Sequence, residues 1–344
     1  MNTLLDFNWQ PPAHWSKIES IDMHTGGEPL RVITSGLPEI KGNTVLEKRR
    51  YFREHYDHVR TGLMWEPRGH ADMYGAVISA SNDADFDVFF IHNEGYSTMC
   101  GHAVLALTKL VLETGIITKE GAHPRLKINV PCGQVEATAT WSNGKVWDVS
   151  FINVPSFLYL RDEKLEVPGL GMVHFDVAYG GAFYAFVKAE TLGLNMLPQD
   201  YNRLIDYGRR IKNAVMQNFE VKHPFENDLS FLYGTIFTGK PENSANHSRN
   251  VCIFADGEVD RSSTGSGVSA RAALHHAKGE LALNQTITIE SITGSVMTVK
   301  AIEATQYGQY PAVIPQVGGT ASITGRHEFY FDPEDPFTRG FLFR

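Results

Sequence analysis

The stretch that most limits how this chain can fold is Ala103-Val104-Leu105-Ala106-Leu107, continued by Leu110-Val111-Leu112. Its pattern predicts a helix over about 101–113 that stops at Gly115, with apolar side chains on nearly every face. Such a helix has to be covered on all sides, so strands must wrap around it. It is entered through Ser97-Thr98-Met99-Cys100-Gly101-His102. A thiol at that position lies in the field of free backbone N–H groups, which predicts a lowered pKa and a reactive thiolate. A second glycine-rich turn, Asp260-Arg261-Ser262-Ser263-Thr264-Gly265-Ser266-Gly267, leads into another predicted helix, about 266–278. Threonine stands there at the position matching the cysteine.

The rest of the chain reads as strands placed around these two helices. Ile18–Ser35 is strand, Gly26-Gly27 turn and strand; Asn43–Tyr56 is polar and helical; Asp87–His92 is a buried strand. Residues 126–154 alternate as strands, and a second lobe begins near Pro155. In it, strands over 173–187 break at Gly180-Gly181, a helix covers 201–219, and strands follow at 231–238 and 250–254. Each half therefore offers strands around one helix opened by a reactive-looking residue and glycine, a weak internal repeat. The expected units are 1–154, carrying Cys100, and 155–324, carrying Asp260 and Thr264, with 325–344 a candidate to pack back on the first.

The 344 residues are 42% apolar with a formal charge of −8, enough for one large domain or two lobes. No cluster of Lys and Arg suits a polyanion, so nucleic acid is not an expected partner. Met1–Trp9 has no basic flank or long apolar core, and no later run approaches membrane-spanning length. Cys100, Cys132 and Cys252 are sparse, odd in number and without metal-type spacing, which predicts reduced thiols in a cytoplasmic protein. Cys132 and Cys252 read as packing residues. His275-His276 does not suggest a metal site, because neighbouring helix positions point about 100° apart. Gly265-Ser266-Gly267-Val268-Ser269-Ala270 matches a dinucleotide fingerprint, but a polar loop over 255–264 separates it from the preceding strand.

Together these stretches resemble the proline racemase family. The resemblance is carried by Asp22-Met23-His24-Thr25-Gly26-Gly27-Glu28-Pro29, Pro67-Arg68-Gly69-His70-Ala71-Asp72-Met73, Met99-Cys100-Gly101-His102 and the 260–267 stretch, with Gly318-Gly319-Thr320-Ala321 and 332–337 near the end. It implies an α/β (α+β) fold of two pseudo-symmetric lobes, proline racemase and diaminopimelate epimerase-like, with substrate between the two helix N-termini. It also implies that no cofactor or metal is needed and that the partner is a small imino acid. Family racemases and epimerases carry a cysteine at both helix starts, one for each face of the substrate. Here Thr264 replaces the second, and its hydroxyl is too weak an acid to replace a thiol.

The Cys100/Thr264 pair resembles the dehydratase branch, which implies trans-3-hydroxy-L-proline dehydratase activity, with Cys100 taking the Cα proton and the 3-hydroxyl leaving as water. By residue-wise carry-over, Gly101, His102, Gly265 and Ser266 would bind the substrate carboxylate, and Asp260 the ring ammonium. The alternatives are a 4-hydroxyproline epimerase or proline racemase, and a non-catalytic imino-acid binding protein. A homodimer is the expectation for a soluble oligomer.

Overall fold

The computed structural model describes residues 8–343, so the reading of Met1–Trp9 as leaderless lies, for residues 1–7, outside the described part. The first half runs β1 (Ser16–Thr25), β2 (Glu28–Ser35), α1 (Val45–Met64), β3 (Tyr74–Ser79), β4 (Phe86–His92), β5 (Tyr96–Ser97), α2 (Gly101–Glu113), β6 (Arg125–Val130), β7 (Gly133–Ser142), β8 (Lys145–Ile152) and β9 (Ser156–Val167). The second runs β10 (Gly171–Tyr179), β11 (Phe183–Lys188), α3 (Tyr201–Asn218), β12 (Leu232–Gly239), β13 (Ser248–Phe254), β14 (Glu258–Val259), α4 (Gly265–Ala277), β15 (Ile287–Glu290), β16 (Val296–Tyr307), β17 (Tyr310–Gly319) and β18 (Ser322–Phe331).

The two halves repeat one plan. In the first, β1 pairs with β2 antiparallel, β2 with β3 parallel, β3 with β4 antiparallel and β4 with β6 parallel, followed by antiparallel β7 and β8. In the second, β10 to β17 repeat the same sequence of pairings, with α3 and α4 at the places of α1 and α2. A parallel pair cannot be joined by a tight turn, so each needs a crossover, and the helices supply it. β9, the strand at the boundary, pairs with both β10 and β17 and closes the strands of the second half into a ring around α4. The chain end returns as β18, antiparallel to β1, and β8 pairs with β17 to join the halves.

The two central helices follow from their composition. Every residue of α2 from Gly101 to Leu112 is buried, and so is every residue of α4 from Gly265 to Leu274. A fully buried Leu or Val contributes about 1.5–3 kcal/mol, and Leu105, Leu107 and Leu110 are each wholly inaccessible. Truncating Leu107 to alanine would leave a cavity costing about 2–5 kcal/mol. The one charged side chain inside α2's buried run, Lys109, reaches Glu113 at 2.7 Å and the Val146 carbonyl at 2.8 Å.

α1 differs from its expected extent. It begins at a capping box formed by Thr44 and Glu47 but continues to Met64 rather than stopping near Tyr56. Its second part buries Val59, Leu63 and Met64 together with Arg60. That guanidinium is satisfied by Asp57 at 2.7 Å and by the carbonyls of His92 and Asn93, so a polar-looking stretch is partly core.

Candidate active site

The N-termini of α2 and α4 meet head to head. A Cβ placed on Gly101 would lie 2.5 Å from Gly265 Cα, and one placed on Gly265 would lie 2.5 Å from Gly101 Cα. Only glycine at both positions lets the two helix starts approach this closely. The first turn of each helix has backbone N–H groups with no partner inside the helix, so two positive dipole ends converge on one point. That arrangement suits a bound carboxylate.

A pocket of about 20 Å³ lies at the junction, with Cys100, Gly101 and His102 on one side and Thr264, Gly265 and Ser266 on the other. All of the predicted site residues, Asp260 included, are brought together here. Cys100 is the N-cap of α2, and its Sγ lies 3.2 Å from Nδ1 and 3.7 Å from Nε2 of His102. The His102 carbonyl is fixed by the Thr25 hydroxyl at 2.9 Å. Burial holds the His102 ring below the usual histidine range, so it is neutral.

The thiol itself departs from the expectation of a lowered pKa. Burial pushes the Cys100 thiol well above its ordinary range, with Asp260 and Glu28 adding to the rise. The Ala103 N–H and the Tyr74 hydroxyl act the other way but do not prevail. A helix-terminus field is a local effect readable from sequence; the dielectric of a closed pocket is not.

Opposite Cys100, Thr264 caps α4 at φ +69°, a left-handed conformation unusual for a β-branched residue. Backbone strain of this kind costs on the order of 1–3 kcal/mol and persists where the surroundings over-determine it. The turn preceding it is fully pinned. Ser262 N–H donates to Asp260 Oδ1 at 2.7 Å, Thr264 N–H to Ser262 Oγ at 3.1 Å, and Asn250 Nδ2 to the Ser263 carbonyl at 3.1 Å. Thr264 Oγ1 is buried without a hydrogen-bond partner among the described residues. Ser266 Oγ is held by Tyr184 at 2.7 Å.

Sequence reasoning passed over several pocket residues. Tyr74, Tyr233 and Phe254 form aromatic walls, and Tyr74 packs edge-on to His102 at 5.0 Å. Cys252, read as a packing residue, lines the same pocket, and burial pushes its thiol well up, so it stays protonated. Glu28 is buried in the wall as well. Its place in the Gly-Gly-Glu-Pro turn was the one available signal. His275 and His276 lie away from this pocket and face different partners: His275 contacts Arg271 at 2.8 Å and Glu280 at 2.6 Å, while His276 contacts the Leu281 carbonyl.

Comparison with known proteins bears on this geometry. A family model described as proline racemase matches residues 20–342. A trans-3-hydroxy-L-proline dehydratase of Colwellia psychrerythraea is 54% identical over 341 residues, 98% of this chain and 96% of that one. A Homo sapiens protein of the same name is 49% identical over 332 residues, 94% of each chain. Among solved structures, a hydroxyproline epimerase from Agrobacterium vitis with bound trans-4-hydroxy-L-proline superposes with a TM-score of 0.89 at 28% identity, covering 95% of this chain and 96% of that one.

Proposed function

The chain belongs to the proline racemase family, and from that premise we propose that it is a trans-3-hydroxy-L-proline dehydratase working without a cofactor. One observation carries the reading: two abutting helix N-termini with cysteine on one and threonine on the other. Relatives named as this dehydratase, 44–54% identical over nearly the whole chain, support it.

The substrate carboxylate sits between the two helix starts and takes N–H donors from Gly101, His102, Gly265 and Ser266. Preorganised donors aimed at developing charge are what a weakly acidic Cα–H requires. Asp260 holds the ring ammonium. The cationic ring offsets the two carboxyls that raise the Cys100 pKa and so favours its thiolate.

In trans-3-hydroxy-L-proline the hydroxyl lies opposite the carboxylate, hence on the same ring face as the Cα hydrogen. The Cys100 thiolate takes the Cα proton, and the thiol so formed returns a proton to the 3-hydroxyl as the C3–O bond breaks. The electron pair of the Cα–H bond becomes the Cα–C3 double bond, and water leaves. The resulting enamine tautomerises to pyrroline-2-carboxylate. Thr264 presents a hydroxyl to the opposite face without exchanging a proton, which separates elimination from two-face epimerisation.

The same reading divides the chain at residues 154 and 155, with the β18–β1 pairing supporting the return of the chain end to the first lobe. Three unpaired buried cysteines support a cytoplasmic setting. No helix among the described residues is long and apolar enough to cross a membrane. A homodimer is expected from the commonness of two-fold pairing, and sedimentation would check it. The test of the one-face mechanism is the cis isomer, whose hydroxyl lies on the Thr264 side: trans should be turned over and cis hardly at all, and equal rates would sink the mechanism.

A further inference from the structure

Glu28 lines the pocket but has no part in the steps above. It is wholly inaccessible to solvent at the start of β2. Oε2 accepts the Arg261 N–H at 2.7 Å, and Oε1 is buried with no partner among the described residues. The neighbouring carboxyl, Asp260, accepts the Ser262 N–H at 2.7 Å. Successive amides of one tight turn thus hold the two carboxyls side by side. The turn is braced in turn by Arg261 Nη1, which donates to Asp72 at 2.6 Å and to the Val259 carbonyl at 2.7 Å.

A ring ammonium has two N–H donors, one toward each face, and no lone pair. Asp260 can take one of them in straight geometry. A second donor enclosed without an acceptor is costly, as is a buried carboxyl oxygen left unpaired. We propose that Glu28 is the second ammonium acceptor, so that Glu28 and Asp260 form a two-carboxyl fork reading both N–H groups of a cyclic secondary amine. This rests on the imino-acid reading above. Burial, with Asp260 next, raises the Glu28 carboxyl well above its ordinary range. The arriving cation supplies the positive charge that the paired carboxyls lack. Selectivity follows: a ring with two N–H groups and a positive charge satisfies the fork, and a ring lacking either does not.

The test is calorimetric binding of L-proline, with two N–H groups, and of pyrrole-2-carboxylate, with one N–H and no positive charge, to wild type and to Glu28→Gln. A glutamine that keeps its carbonyl on the Arg261 N–H turns an NH2 donor toward the ring, where an acceptor is needed. L-proline affinity should fall about tenfold or more while that of the pyrrole acid changes by less than about threefold. Glu28→Asp keeps two oxygens but retracts them by one methylene, and should lose less L-proline affinity than the glutamine variant. Equal losses for the two rings, or none for either, would overturn the fork. A wild-type protein that binds neither ring acid overturns the imino-acid reading and the fork with it.

Discussion

Replacing Gly265 by alanine sets two effects against each other. Alanine in place of glycine inside a helix ordinarily stabilises by about 0.5–1 kcal/mol. Here the new Cβ would lie 2.5 Å from Gly101 Cα and 3.1 Å from the His102 nitrogen. Ordinary contact begins near 3.4 Å, so the helix starts must part by roughly 0.9 Å or the surrounding core must strain. Overpacking of a tight site costs about 1–3 kcal/mol, which exceeds the helix gain at all but the lowest value. Activity should suffer more than stability, because both sets of donors bear on one carboxylate. A displacement of about 1 Å in a reacting geometry can cost about a hundredfold in rate. The assay is kcat/KM for dehydration beside a thermal melt of the same protein. Loss near a hundredfold with a modest fall in melting temperature is expected. A variant within about threefold of wild type, an effect below 1 kcal/mol, would refute the claim that the two helix ends act as one site.

Further outcomes follow from named groups. Cys100→Ala should fold, since it removes a single buried sulfur at a helix start and leaves the backbone contacts in place, and should lose dehydration by about 10²–10⁴-fold, together with Cα hydrogen exchange measured by proton NMR in heavy water. Thr264→Cys should gain inversion at Cα, read by chiral chromatography of L-proline; a variant that binds proline yet never inverts it would count against opposed faces. Glu290 is buried, which pushes its carboxyl up, but the Glu242 and Asn243 N–H groups, the Asn246 amide and Arg249 hold it down to about 2. Its folded pKa is thus below the unfolded 4.5, so its stability contribution is present above that value and lost as pH falls toward 2. Denaturant melts from about pH 6 down to about pH 3 should lose stability in wild type and show a smaller loss in Glu290→Gln; parallel curves would reject that role.

Much of this architecture is legible in the sequence where a local pattern is strong. The helix predicted over about 101–113 is Gly101–Glu113, and the hairpin expected over 18–35 is β1 and β2. Both rest on unmixed signals: a run of Leu, Val and Ala that no surface can accept, and paired glycines at positive φ. The strands β15 to β18 were not foreseen, because Val296–Tyr307 and Ser322–Phe331 carry many exposed polar residues that mimic loops. Arg60 hid the second part of α1 in the same way: its charge is buried against carbonyls supplied by distant residues.

The site divides along the same line. Cys100, Thr264 and the glycines after them stand in readable motifs. What could not be read is what tertiary packing imposes. Head-to-head contact makes both glycines obligatory, a closed pocket raises the Cys100 pKa that its helix position would lower, and Cys252 and Glu28 arrive in the wall from separate strands.

The central claim is elimination by a single thiol on one face, and the most direct measurement is a product assay. Purified protein is given trans-3-hydroxy-L-proline, trans-4-hydroxy-L-proline and L-proline, each followed for imine formation and for optical rotation. The account predicts imine from the 3-hydroxy substrate alone, abolished in Cys100→Ala. Inversion of the other two without imine would contradict it and make Thr264 no barrier to epimerisation.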